Sequence, residues 1–120
     1  MLKIKIGNTT FEYLEALETE EFFNGSSRRT ITVTCNPNVI SIDELNALLV
    51  EENLSNIVME NEESNIVNYY DGYVLKLLCG IQNKLIQAES LEAPAVYEDR
   101  LVFKIGKRTY IEQKLHELGI

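Results

Sequence analysis

The chain has little of what ordinary catalysis is built from. Its 120 residues include one histidine, His116, and two cysteines, Cys35 and Cys79. No Cys-His, Ser-His-Asp or two-histidine metal spacing accompanies His116. It lies four residues after Glu112 and one before Glu117, where a partly exposed imidazole near a helix C-terminus is expected to act as a stabilising cation. The cysteines sit in the alternating apolar stretches TVTCN and LKLLCGI, which predict free core thiols. Two cysteines still permit one pairing, so a single disulfide stays open.

Positive charge is also scarce. Eleven basic side chains face 19 acidic ones, for a formal net charge of -8, a field that repels phosphate backbones and anionic lipid headgroups. Nucleic acid and membrane are therefore not expected partners. No apolar run approaches the length of a membrane span. The opening MLKIKIGNTT alternates where a signal peptide would be continuously apolar, so export by a signal peptide is not expected and synthesis in the cytoplasm is. The sequons at Asn8, Asn24 and Asn53 are then chance matches in turns. Phosphate- and calcium-binding loops are missing too. Gly106-Lys107 lacks the first glycine and the four-residue spacing of a phosphate loop, and no Asp-x-Asp-x-Asp-Gly segment occurs. Carboxylates are plentiful, which keeps a paired-carboxylate hydrolase as a distant reading. Their clusters, at Glu12–Glu21 and Glu60–Glu63, nevertheless fall in turn-rich stretches where a solvated surface is expected. No catalytic, metal-binding or cofactor-binding set emerges, and the chain is expected not to be an enzyme.

What is present is the balance of a folded domain, with 45% hydrophobic and 25% charged residues in a length that suits one core over 1–120. Residues 2–6 and 9–14 alternate about Gly7-Asn8 and predict a β-hairpin. Residues 15–27, with four glutamates and the run Asn24-Gly25-Ser26-Ser27, suggest a loop or irregular strand extension ending in a turn. Residues 29–35 form a half-buried strand with Ile31, Val33 and Cys35 inward. Ser41 and Glu44 form a capping box for a helix over 42–52 whose apolar stripe is Ile42, Leu45, Leu48 and Leu49. Its acidic end opposes the helix dipole and predicts fraying near Asn53. Residues 55–60 and 64–70 read as a second hairpin. Residues 73–79, apolar on both faces, are the expected centre of the sheet. Gly80 breaks that pattern, 81–88 is open to continuing as a strand, 89–99 is a loop containing Pro94, and 100–105 is strand again. Thr109 and Glu112 cap a short C-terminal helix carrying Ile111, Leu115 and Leu118. The fold class is α+β, mainly antiparallel sheet, with a partly closed barrel as one option.

Aromatic and paired basic side chains are the remaining signal. Tyr69, Tyr70 and Tyr73 surround Asp71-Gly72, so at least one faces outward, where tyrosine suits protein interfaces. Phe22 and Phe23 point opposite ways if extended, so one is available to a neighbour. Arg28-Arg29 and Lys107-Arg108 offer a local positive patch but are expected to pair with glutamates. Phe22, Phe23, Arg28, Arg29, Tyr69, Tyr70 and Tyr73 are thus the candidate interface.

The segments EFFNGSSRRT (21–30), NYYDGY (68–73) and FKIGKRTY (103–110) resemble small proteins of phage and prophage tail modules in Gram-positive bacteria. The resemblance covers most of the chain and rests on turn and strand signatures. It implies a structural or assembly protein of a tail or baseplate with no catalytic residue. Its partners would be other tail or baseplate proteins or copies of itself as a homo-oligomer, and its final location the virion tail. Two readings stay open: this interaction module, and a small ligand-binding or regulatory domain with a barrel-like sheet around a pocket.

Overall fold

A computed structural model describes residues 1–23 and 25–119; the side chain of Phe23 and all of Asn24, from the expected aromatic pair and turn, lie outside the described part. Alternation at period two dominates the sequence, and eight strands result. They are β1 (Leu2–Ile6), β2 (Thr9–Glu12), β3 (Glu15–Phe23), β4 (Ser26–Cys35), β5 (Asn56–Asn61), β6 (Ile66–Asp71), β7 (Tyr73–Gln87) and β8 (Val96–Lys107). Three short helices accompany them: α1 (Ile42–Leu48), α2 (Glu51–Leu54) and α3 (Tyr110–Glu117). The fold is α+β with two antiparallel four-stranded sheets, ordered β2-β1-β5-β6 and β3-β4-β8-β7.

The sheets share two corners. At the first, the Tyr13 N–H donates to the Leu2 carbonyl (3.1 Å) and the Leu14 N–H to the Thr34 carbonyl (2.8 Å), so consecutive residues bond to different sheets. At the second, Gly72 turns β6 into β7 with φ of 71°, a left-handed value that a side chain would strain. Its carbonyl accepts from the Arg108 N–H at 2.7 Å, and a Cβ there would lie 3.1 Å from the Gln113 side-chain oxygen. Strands that bend from one sheet to the other in this way are how sandwiches make corners. Among the described residues no closed barrel forms. One core fills the space between the layers, with Ile4, Ile6 and Ile57 from the first sheet meeting Ile31, Val33 and Phe103 from the second.

Four local expectations change. The glutamate-rich 15–23 is a full edge strand, β3, paired over its whole length with β4. Glutamate is a poor strand former alone, but Glu20 stands opposite Arg29 and Glu21 opposite Arg28, and cross-strand charge pairs favour that register. The helix expected over 42–52 is broken in two. Ser41 caps α1 by accepting from the Glu44 N–H (3.1 Å), but α1 ends at Leu48, whose carbonyl accepts from the Asn53 side chain (2.9 Å). The break moves Glu51 and Glu52 from the end of one helix, where the dipole disfavours them, to the first turn of α2, where it favours them. The segment around Asn53 is accordingly helical, not frayed.

The third change concerns β7, which is an edge strand and not the centre of its sheet; β4 and β8 occupy the centre. Its two-faced apolar character has a different origin. Tyr73 and Cys79 enter the core, whereas Leu77 and Leu78 stay exposed. Gly80 does not end it, because β7 absorbs register shifts between Leu75 and Leu77 and between Leu77 and Gly80 and then continues to Gln87. At that irregular stretch α1 supports the edge: the Asn46 side chain accepts from the Cys79 N–H (2.8 Å) and donates to the Cys79 carbonyl (3.2 Å). Fourth, the loop expected over 89–99 is shorter, since β8 begins at Val96 and the connection spans only 88–95.

Candidate interaction surface

The β7–β8 hairpin outruns the sheet that carries it. β4 pairs with β8 only from Thr30↔Gly106 to Cys35↔Leu101, whereas β7 follows β8 as far as Gln87↔Val96. Residues 82–87 and 96–100 therefore form a two-stranded arm. The molecule measures 59 × 31 × 30 Å and has a radius of gyration of 16.0 Å, against about 14 Å for a compact chain of this length.

An arm of two strands has no second layer to bury its apolar side chains. Leu85, Ile86 and Tyr97 are exposed along it, and Leu77, Leu78 and Ile81 are exposed on the part of β7 that leads into it. On β7 itself little charge accompanies them, since Lys84 is the one charged residue between Leu77 and Ala88; the partner strand carries Glu98, Asp99 and Arg100. Beside the arm, Leu14 and Leu17 join Leu85 and Ile86 to line a groove of about 310 Å³. A second apolar surface lies on α3. Its capping box is complete, with the Thr109 hydroxyl accepting from the Glu112 N–H and the Glu112 carboxylate accepting from the Thr109 N–H. Yet Tyr110, Ile111, Leu115 and Leu118 remain exposed. Polar contacts hold α3 instead: Arg28 Nη1 lies 2.6 Å from Glu112 Oε1, and His116 Nδ1 lies 3.1 Å from Glu51 Oε1.

The residues chosen from sequence divide. Phe22 (74% exposed) and Tyr69 (75%) stand on the surface, and Arg29 is exposed as well. Phe22 and Tyr69 lie on different sheets and are not brought together. The side chain of Phe23 is outside the described residues. Two candidates do not serve as surface contacts. Tyr73 is 2% exposed and stacks edge-on against half-buried Tyr70 at 5.9 Å, because the Gly72 corner turns it into the core; burial raises the pKa of both phenols. Arg28 is 5% exposed and committed to Glu112. The expected pairing of the basic doublets with carboxylates is seen at Arg28–Glu112, Lys107–Asp71 and Arg108–Glu51.

Elsewhere the outer face of the second sheet holds a charge cluster. Lys76 and Lys104 both reach Glu21 Oε1, and the Thr19 hydroxyl donates to Glu21 Oε2 at 2.7 Å. The Lys76 hydrogen bond, then Thr19 and Lys104, hold the Glu21 carboxyl down to about 2. Cys35 and Cys79 are free thiols in the core, and burial pushes Cys35 up to about 12. Among the described residues no group of three or more His, Cys, Asp or Glu is placed to hold a metal, and no helix is long and apolar enough to cross a membrane.

The arm was hidden in the sequence by its own signal. The stretch LKLLCGIQNKLIQ has apolar residues on both faces, the pattern of a strand covered on both sides. Its length, beyond what the neighbouring strands could cover, was the clue that it is not. Comparison with protein-family models, with curated proteins and with solved structures found no match to this chain.

Proposed function

We propose that this protein is a non-enzymatic assembly component of a phage or prophage tail or baseplate, acting through protein–protein contacts. The observation that supports an assembly role is the projecting arm with its row of exposed apolar side chains. A water-exposed two-stranded edge of this kind is a liability unless a partner covers it, and proteins ordinarily blunt such edges with charge or proline. Along β3, the other edge of the same sheet, Glu15, Glu18, Glu20 and Glu21 supply that charge; along residues 77–87 of β7 only Lys84 does. The tail setting comes from the resemblance of the 21–30, 68–73 and 103–110 segments.

The test is to shorten the arm, joining residue 82 to residue 100 through a two-residue turn. The full-length and shortened chains are then followed in particles made by cells that express the gene with its neighbours. The shortened chain is expected to keep its cooperative melting, since its core lies elsewhere, and to be lost from purified particles. A full-length chain that never sediments with particles, or a shortened chain that sediments as well as the full one, overturns the reading. A small molecule that raises the melting temperature of a strictly monomeric, particle-free chain would favour a ligand-binding domain instead.

A further inference from the structure

The tip of the arm is ordered by its own hydrogen bonds. In the 88–95 loop the Ser90 hydroxyl oxygen accepts from the Glu92 N–H (3.3 Å) and the Ala93 N–H (3.1 Å), and the Ser90 N–H donates to the Ala93 carbonyl (2.8 Å). This turn holds Leu91 out as a fully exposed side chain, flanked by Glu89 and Glu92. An apolar side chain presented on a fixed turn loses little freedom when it is bound.

The same chain carries a place that fits it. The groove lined by Leu14, Leu17, Leu85 and Ile86, at about 310 Å³, is roomy enough for a leucine side chain. Its polar lining includes Lys84, Arg100 and Glu15. Arg100 is paired with Glu98 at 2.6 Å, whereas Lys84 makes no ion pair among the described residues and is opposite in sign to the acidic flanks of Leu91. Leu91 does not fill its own groove, since it is fully exposed.

Resting on the contact role proposed above, we propose that the arm's occupant is a second copy of this chain. Two arms pair about a two-fold axis, each seating Leu91 in the groove of the other. Knob and groove lie on one chain, so a single pairing uses both from both copies and closes on itself, as an isologous contact does. The area is sufficient: the exposed side chains from Leu77 to Tyr97, with Leu91, present about 800 Å², what one partner contributes to an interface of standard size. A chain with a net charge of -8 repels its copy, and the pairing offsets this locally by setting Lys84 of one copy against Glu89 and Glu92 of the other.

Sedimentation equilibrium up to about 1 mM protein tests the pairing. The wild-type chain is expected to form dimers. Leu91→Asp is expected to weaken them at least about a hundredfold, since the contact occurs twice per dimer, while leaving the melting temperature unchanged. Lys84→Glu is expected to weaken the dimer about tenfold, and adding Glu92→Lys to the same chain to recover the loss. A wild-type chain that stays monomeric over this range, a Leu91→Asp chain that pairs as the wild type does, or a double variant without recovery overturns the inference. The particle assay separates this from failure of the assembly role. A monomeric chain that still enters particles through an intact arm contradicts self-pairing alone, and a dimer that never enters particles contradicts the tail assignment alone.

Discussion

Replacing Asn46 by alanine isolates one contact on which the edge strand depends. Its side chain is the polar link between α1 and β7, accepting from the Cys79 N–H at 2.8 Å and donating to the Cys79 carbonyl at 3.2 Å, where β7 slips register against β8. Cys79 is buried, so Asn46→Ala removes two hydrogen bonds and strands a main-chain donor and acceptor. At about 1 kcal/mol for each bond, with a further penalty for the stranded groups, the loss is about 2–3 kcal/mol. Alanine's better helix propensity returns about 0.5 kcal/mol. The net cost of about 2 kcal/mol corresponds to a fall of about 8 °C in the melting midpoint for a domain of this size. Scanning calorimetry or circular dichroism reads that shift. Asn46→Asp is the companion variant: it keeps the acceptor for the Cys79 N–H but sets a carboxylate against the Cys79 carbonyl. It is expected to melt lower than wild type near neutral pH and to recover part of the difference once acid protonates the new carboxyl. A midpoint for Asn46→Ala within about 2 °C of wild type would refute the clamp and leave α1 held by the packing of Ile42, Leu45 and Leu48.

Acid should expose the Glu21 cluster. Its carboxyl is held at about 2 in the folded chain, below its ordinary 4.5, so its stabilisation is fully present above about pH 4.5 and is lost as pH falls through about 2. Glu21→Gln should therefore cost about 1 kcal/mol near neutral pH, after allowing for solvent screening, and progressively less over that window; a cost independent of pH would contradict the assignment. The thiols offer a simpler check. With Cys35 up to about 12 and Cys79 raised by burial, neither should react with a thiol reagent at about pH 8 until the chain is unfolded, and rapid labelling of the native chain would contradict their burial.

The parts of the fold that were legible in the sequence are those whose signals are local. Gly7, at φ of 61°, and Asn8 make the first hairpin's turn, and Thr109 with Glu112 sets the start of α3 wherever the helix docks. The alternation of Ile31, Val33 and Cys35 gave the inward face of β4 correctly. What was not legible depends on partners distant in sequence. Nothing within 15–23 announces that Arg28 and Arg29 will stand opposite its glutamates, and nothing within 42–52 announces that the Asn53 side chain will close α1 at Leu48. The same holds for the candidate surface. Tyr69 and Phe22 are exposed, though the sequence did not say which tyrosine or which phenylalanine would be, and Tyr73 and Arg28 are withdrawn by the Gly72 corner and by Glu112, contacts made by other segments. The arm escaped notice because periodicity reports which side chains are apolar and not what covers them.

Amide hydrogen exchange, resolved by segment and compared between the free chain and the chain in purified particles, tests the arm's role most directly. If the arm is the contact surface, protection gained on assembly falls on residues 81–97, where the free hairpin has no second layer, while β1, β5 and the centre of β4 exchange alike in both states. Protection that appears instead around Tyr69 and Phe22, or no change within residues 81–97, would contradict it.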